Sequence, residues 1–83
     1  MRSATILLTE DEDDVRELLS DLLSAQGYTV LEAISPEDAC AVAARYPTRI
    51  DMLLTDVVMP GGTGADLARS LADSRPGMKV LYM

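Results

Sequence analysis

Three carboxylate residues of this chain follow two short apolar segments. Glu10 and Asp11 come just after the apolar run at residues 6–8, and Asp56 comes just after the run at residues 50–55. Such runs are typical of buried strands in a parallel sheet. Ligands of open α/β sheets bind outside the carboxyl ends of the strands, where the strand order reverses. If the first strand is central, between the second and the third, the three carboxylates converge at that rim.

A bound cation would remove the electrostatic cost of this convergence. Two carboxylates about 5 Å apart repel by roughly 3 kcal/mol at an effective dielectric constant near 20. A small domain has a free energy of unfolding of only about 5–10 kcal/mol, so packing alone would not maintain three such groups. Oxygen ligands favour Mg²⁺, Mn²⁺ or Ca²⁺ over zinc, and few carboxylates leave room for waters and a phosphoryl oxygen. The pattern predicts a Mg²⁺ site that also accepts Mn²⁺.

The composition of the 83 residues excludes several other classes of site. The chain has 14 acidic and 7 basic residues, a formal net charge of −7 and no histidine. This charge argues against direct binding to nucleic acid, which requires clustered Lys and Arg. A Ser-His-Asp triad and a phosphohistidine are impossible on this chain, and a lone Cys40 forms no internal disulfide. No apolar run reaches 18 residues and no signal peptide is apparent, so we expect a cytoplasmic protein that does not enter a membrane.

Strand-like and helix-like patterns alternate along the chain. Strands are predicted at residues 4–8, 28–33, 50–55 and 78–83, and amphipathic helices lie between them. The first helix is predicted to be capped at its start by Asp13 or Asp14 and to end at Gly27. Its apolar stripe, expected to pack on the core, is Val15, Leu18, Leu19, Leu22 and Leu23. The order βαβαβαβ predicts one α/β domain with a parallel sheet covered on both faces.

The fourth predicted strand has two consequences for association. The chain finishes inside this strand, so we expect a fragment or a chain that another copy completes. A strand at the edge of a sheet also carries unpaired backbone groups. We therefore expect self-association through the exposed edge of the fourth strand.

Two segments together carry a resemblance to a known family. They read ILLTEDE at residues 6–12 and LLTDVVMPGGTG at residues 53–64. The acidic pair, with the later pattern of Asp56, Met59, Pro60 and Gly64, resembles the receiver domain of bacterial two-component response regulators. The last five residues also resemble receivers attached to hybrid sensor histidine kinases. The resemblance implies a flavodoxin-like fold with strand order 2-1-3-4 here, and a partial receiver over residues 1–83 that lacks helix 4, strand 5 and helix 5.

The resemblance also implies roles for individual residues. Asp56 is the phosphoacceptor, and Asp11 and Asp56 ligate Mg²⁺ directly. Glu10 acts through a water bound to the metal, and the backbone carbonyl of Val58 is the remaining protein ligand. The phosphoryl donor is a phosphohistidine on a sensor histidine kinase or a histidine phosphotransfer protein. The residues expected to shape the loop after Asp56 are Met59, Pro60 and Gly64.

Two other functions stay open at the level of sequence. A haloacid-dehalogenase-like phosphatase also places an aspartate after its first strand, and in that case Asp11 would be the nucleophile. A non-phosphorylated interaction fragment would use none of the three carboxylates. In the receiver interpretation the chain is not an enzyme, because its only chemistry is transfer of a phosphoryl group onto its own aspartate.

Overall fold

The fold is an α/β layer structure, described for residues 4–83 by a computed structural model. The four main strands are β1 (Thr5–Thr9), β2 (Thr29–Ala33), β3 (Met52–Thr55) and β6 (Lys79–Tyr82). The helices are α1 (Asp13–Ala25), α2 (Pro36–Arg45) and α3 (Gly64–Ala72). Two strands of two residues each, β4 (Val58–Met59) and β5 (Gly62–Thr63), lie between β3 and α3. The predicted βαβαβαβ order is confirmed, and the pair β4–β5 is an addition that the sequence pattern does not indicate.

The main sheet has the order β2-β1-β3-β6, and its neighbouring strands are parallel. This is the predicted 2-1-3-4 order, with β6 as the fourth strand. The central strand β1 pairs with β2 on one side and with β3 on the other. The strand order therefore reverses between β1 and β3, which creates the predicted crevice at their carboxyl ends.

Alternate residues of the strands form one core on each face of the sheet. Leu7 and Leu53 are fully buried in the larger core, which α2 and α3 cover. Ile6 and Leu8 belong to the smaller core on the other face, where α1 packs. Continuous apolar runs predict strands that are buried on both faces of the sheet. The presence of a core on each face confirms this prediction.

Helix α1 covers its face of the sheet less completely than its sequence predicts. Leu19 and Leu23 pack against the sheet, but Leu18 is 60% exposed and Leu22 is 56% exposed. At 100° per residue, Leu19 and Leu23 lie on one side of the predicted stripe and face the sheet, whereas Leu18 and Leu22 lie on its other side and project away from the sheet. The predicted end at Gly27 is confirmed by its positive φ of 97°.

The start of α1 also differs from the prediction that Asp13 or Asp14 caps it. The capping position is Glu12, whose own side chain makes no capping hydrogen bond. The carboxylate of Glu10 instead accepts the backbone N–H of Glu12 at 3.0 Å. A candidate site residue therefore also stabilises the beginning of the helix.

Helices α2 and α3 begin at side-chain caps. Ser35 accepts the N–H of Asp38, and Thr63 accepts the N–H of Asp66, each at 3.0 Å. The guanidinium of Arg75 donates to backbone carbonyls at the end of α2 and just beyond it. Within residues 4–83, no helix combines the length and the apolar character that crossing a membrane requires.

Candidate functional site

The register between β1 and β3 brings the predicted carboxylates together. Thr9 pairs with Thr55, so the residues that follow, Glu10 and Asp56, leave the sheet side by side. Carboxylate oxygens of Glu10, Asp11 and Asp56 all lie within 4.8 Å of one another. The convergence predicted from sequence is therefore present in the structure.

The three carboxylates differ in how the protein holds them. Glu10 is only 5% exposed, and its backbone N–H donates to the Ala33 carbonyl at 3.0 Å, which extends the β1–β2 pairing. Asp56 is half-buried and Asp11 is exposed. The cluster thus has a fixed side at the sheet and an open side toward solvent.

Burial and charge crowding alter the acidity of Asp56. Partial burial, the hydrogen-bonding contact and negative charge of Glu10, and then Asp11 together raise the pKa of Asp56 to about 7. A carboxylate in this position accepts a proton more readily than one in water. A bound cation would oppose this effect, because it stabilises the ionised form.

The loop after Asp56 is a short hairpin with a strict steric requirement at its end. Met59 pairs with Gly62, and the turn between them consists of Pro60 and Gly61. Gly61 has a φ of 94°, as a type II turn requires after proline. A Cβ on Gly64 would lie 2.3 Å from the Asp56 carbonyl oxygen. The close approach of these two backbones therefore needs glycine at position 64.

The other residues predicted for this loop occupy different environments. The side chain of Met59 is buried, and its Sδ accepts a hydrogen bond from Thr55 Oγ1 at 4.0 Å. Pro60 is exposed at the turn, and Val58 lies in β4 with a 73% exposed side chain. The participation of the Val58 carbonyl in metal binding stays a prediction.

Sequence reasoning missed two residues that contact the cluster through its backbone. Thr55 Oγ1 donates to the Asp56 carbonyl at 3.1 Å, and an Arg16 guanidinium N–H donates to the Glu10 carbonyl at 2.9 Å. Only the pair of Arg16 with Asp13, three residues earlier on the helix, could be anticipated from spacing. The contact with Glu10 depends on the path of the turn between β1 and α1.

The donor set fits a hard divalent cation. Each of the three side chains offers carboxylate oxygens, and these are the ligands that Mg²⁺ and Mn²⁺ prefer. Besides partial burial, the negative charges of Glu10 and Asp11 raise the pKa of Asp56, and a cation would relieve this repulsion. The residues present therefore suit the predicted metal.

Comparison with known proteins gives consistent matches. The sensor kinase CckA of Brucella abortus is 40% identical over 81 residues, which are 98% of this chain and 9% of that protein. A receiver domain protein from Clostridium thermocellum superposes with a TM-score of 0.88 at 30% identity, over 95% of this chain and 63% of that one. The response regulator TrrA of Thermotoga maritima gives a TM-score of 0.81 at 28% identity, over 93% and 65%. The chain spans less than two thirds of the length of each of these relatives.

The family assignment follows from the extent of the match and from the fold. The sequence matches the response regulator receiver domain over residues 6–83. The strand order and the position of the acidic cluster are those that the family resemblance implies. The chain belongs to the response regulator receiver domain family of two-component signalling systems.

Proposed function

We propose that this chain is a phosphoacceptor module in which Asp56 takes a phosphoryl group from a phosphohistidine of a partner protein. The observation that carries the proposal is the meeting of Glu10, Asp11 and Asp56 within 4.8 Å at the carboxyl end of the sheet. Asp56 directly follows β3 and is half-buried, so its carboxylate stays within reach of a docking partner. Membership of the receiver family supports the same role.

The residues of the chain account for the chemistry of the transfer. A carboxylate oxygen of Asp56 attacks the phosphorus atom, and the new O–P bond forms as the P–N bond of the donor breaks in line. The donor imidazole leaves with the electron pair of that bond. Because the pKa of Asp56 is raised to about 7, a large share of the molecules without a cation would be protonated and unreactive at neutral pH.

Glu10, Asp11 and Asp56, with the backbone carbonyl of Val58, are the residues that would hold Mg²⁺ or Mn²⁺. When bound, the cation neutralises part of the negative charge of the phosphoryl group and of the carboxylates. Glu10 is fixed by the hydrogen bond from the Glu12 N–H, so one carboxylate of the set is oriented before any ligand arrives. The structurally related TrrA has been crystallised with Mg²⁺ and BeF, which supports the assignment.

The partner in this proposal is a sensor histidine kinase or a histidine phosphotransfer protein. The chain has no histidine, so the phosphohistidine has to come from another molecule or another domain. TrrA has also been crystallised in complex with the histidine kinase ThkA, which supports a kinase as the class of partner. We propose no turnover of a free substrate by this chain.

Labelling with a small phosphodonor tests the proposal. The protein is incubated with acetyl phosphate and Mg²⁺, and phosphorylation is read as a mass increase of the intact chain. The modified residue is then located by borohydride trapping of the acyl phosphate and peptide mapping. We expect one phosphoryl group on Asp56, and none when EDTA replaces Mg²⁺.

Matched variants separate this function from the alternatives. Asp56→Asn should abolish labelling, whereas Asp21→Asn, a change of an exposed aspartate on α1, should leave it intact. Label on Asp11 would favour the phosphatase alternative. A folded wild-type chain that takes no label and gives no heat with millimolar Mg²⁺ would favour the interaction fragment and contradict the proposal.

A further inference from the structure

Arg16 connects helix α1 to the turn that carries the acidic cluster. One guanidinium nitrogen donates to the Glu10 carbonyl at 2.9 Å, and the other terminal nitrogen donates to the Asp13 carboxylate at 2.6 Å. Its Nε lies 3.5 Å from a carboxylate oxygen of Glu32 on β2. The side chain is only 14% exposed, so all three nitrogens are engaged in a sheltered position.

The contact with Glu10 completes the restraint of that residue. Its N–H is bound to the Ala33 carbonyl, and its carboxylate is bound to the Glu12 N–H. The Glu10 carbonyl lies beyond the last paired residue of β1, where the sheet register ends. The guanidinium of Arg16 supplies the donor for this carbonyl and fixes the direction in which the chain leaves the sheet toward Asp11.

We propose that Arg16 is a positioning residue for the cation site, acting through the Glu10 carbonyl to hold Glu10 and Asp11 against Asp56. The inference rests on the proposed function, because it concerns the same three carboxylates. Outer partners that orient metal ligands commonly change metal affinity by about 10- to 100-fold when they are removed. Arg16 orients two predicted ligands through one backbone hydrogen bond, so we expect the lower end of this range.

A second ion pair of the same chain, between Arg69 and Asp66, joins two residues of one helix and serves as a comparison for Arg16. Arg69 pairs with Asp66 at 2.9 Å, and these residues are also three positions apart. Their side chains are 71% and 68% exposed. Arg69 lies on α3, and its guanidinium donates to Asp66 on the same helix, away from the cluster. Arg16 differs because its partly buried guanidinium reaches the backbone of a predicted ligand.

The sign of the effect distinguishes positioning from a simple charge effect. A nearby positive charge repels a divalent cation, so removing it without disturbing the ligands would strengthen Mg²⁺ binding. Loss of positioning would weaken binding despite the more negative site. Arg16→Met removes both the charge and the donors but keeps an unbranched side chain of good helix propensity.

The experiment measures Mg²⁺ affinity of the full chain by calorimetry, together with the amide shifts of residues 10, 11 and 56 during the titration. We expect Arg16→Met to weaken Mg²⁺ binding about 10-fold and to move these amide signals in the metal-free state. The matched Arg69→Met variant should bind as the wild type does. Arg16→Lys keeps the charge and one donor nitrogen, and it should recover binding to within about threefold of the wild type.

The possible outcomes distinguish failure of the positioning role of Arg16 from failure of the proposed function. Unchanged or tighter binding in a folded Arg16→Met variant would overturn the positioning role and leave the proposed function intact. A wild-type chain that shows no saturable Mg²⁺ binding would overturn both. If Arg16→Met does not fold, Glu32→Ala, which removes the acceptor beside Nε of Arg16, should still weaken binding about two- to threefold, and unchanged affinity in a folded Glu32→Ala variant would overturn the inference.

Discussion

Thr9 and Thr55 are register partners in β1 and β3, and both side chains are fully buried. Each lies two residues beyond a leucine of the larger core, so both face the side covered by α2 and α3. Their hydrogen bonding differs, because Thr55 Oγ1 donates to the Asp56 carbonyl, whereas Thr9 Oγ1 has no partner within the described part of the chain, residues 4–83. This pairing aligns the two strand ends that carry the acidic cluster.

The difference between the two threonines predicts opposite effects of one substitution. Thr9→Val removes a buried hydroxyl without a partner and should raise the free energy of unfolding by about 1 kcal/mol. Thr55→Val removes a satisfied hydroxyl and should lower it by about the same amount. Urea denaturation of the two variants beside the wild type measures both changes. If both substitutions changed the free energy of unfolding in the same direction, the predicted difference between a paired and an unpaired buried hydroxyl would be wrong.

The raised pKa of Asp56 predicts a dependence of stability on pH. In the unfolded chain the carboxyl titrates near its ordinary value of 3.8, and in the folded protein it titrates at about 7. The folded state therefore binds the proton more tightly, and stability falls as the pH rises between these two values. Asp56→Asn should remove this loss and stabilise the metal-free protein by about 1–2 kcal/mol near pH 8, a magnitude reduced by solvent screening of a half-exposed group.

The measurement is urea denaturation in EDTA at several pH values between about 4 and 8. The advantage of Asp56→Asn over the wild type should shrink toward the acidic end, where the folded-state carboxyl is protonated and the pH approaches the unfolded-state pKa of 3.8. Asp21→Asn changes charge equally at an exposed position of α1 and should show no such trend. A constant difference across the whole range would contradict the role assigned to Asp56 ionisation.

The close approach of Gly64 to the Asp56 carbonyl predicts a position-specific cost of a methyl group. In Gly64→Ala the new Cβ would lie 2.3 Å from that carbonyl oxygen and 2.9 Å from Thr55 Cγ2. Since one neighbour is a backbone oxygen and the other is a fully buried side chain, neither can move aside easily, and we expect a loss of about 2–4 kcal/mol in the free energy of unfolding. Gly77→Ala is the control, because a Cβ there would meet nothing within 4 Å, and it should change stability by less than about 0.5 kcal/mol. Similar effects at both positions would contradict the steric requirement.

The fold and the meeting of the carboxylates could be predicted because they depend on local patterns. Continuous apolar runs indicate strands buried on both faces, and acids at their carboxyl ends fall at one rim whatever the side-chain details. Glu10, Asp11 and Asp56 could be identified in this way, since each lies at or close to the end of an apolar run. The strand order 2-1-3-4, which creates a crevice between the first and third strands, was predicted from the family resemblance.

The contacts that hold the site could not be predicted, because they join side chains to distant backbone atoms. Arg16 reads as one member of a helical ion pair, and only the path of the β1–α1 turn brings it to the Glu10 carbonyl. The exposure of Leu18 and Leu22 was also missed, because helical spacing tells which residues share a stripe but not how much of that stripe a neighbouring element covers. The hairpin after Asp56 is too short to give an alternating pattern.

The free edge of β6 predicts self-association of the 83-residue chain. β6 pairs with β3 on one side and is the outermost strand in the sheet order of the described residues. Its residues are all exposed, and Leu81 is 53% exposed beside an apolar groove of about 440 Å³. Edges of this kind pair with other chains unless charge or bulges prevent it. We expect a dimer or larger species through the edge of β6.

Sedimentation velocity at low and high salt tests this association. Each chain carries a formal net charge of −7, so repulsion between copies should make association stronger when salt screens it. Leu81→Glu should shift the chain toward the monomer, because a charged side chain on an edge strand disfavours pairing with another copy. Val57→Glu makes the same change at a residue of equal exposure, 54%, outside the strands, and should leave the distribution unchanged. A folded wild-type chain that sediments as a monomer at high salt would contradict association through β6, since neither repulsion nor unfolding would then explain the absence of pairing.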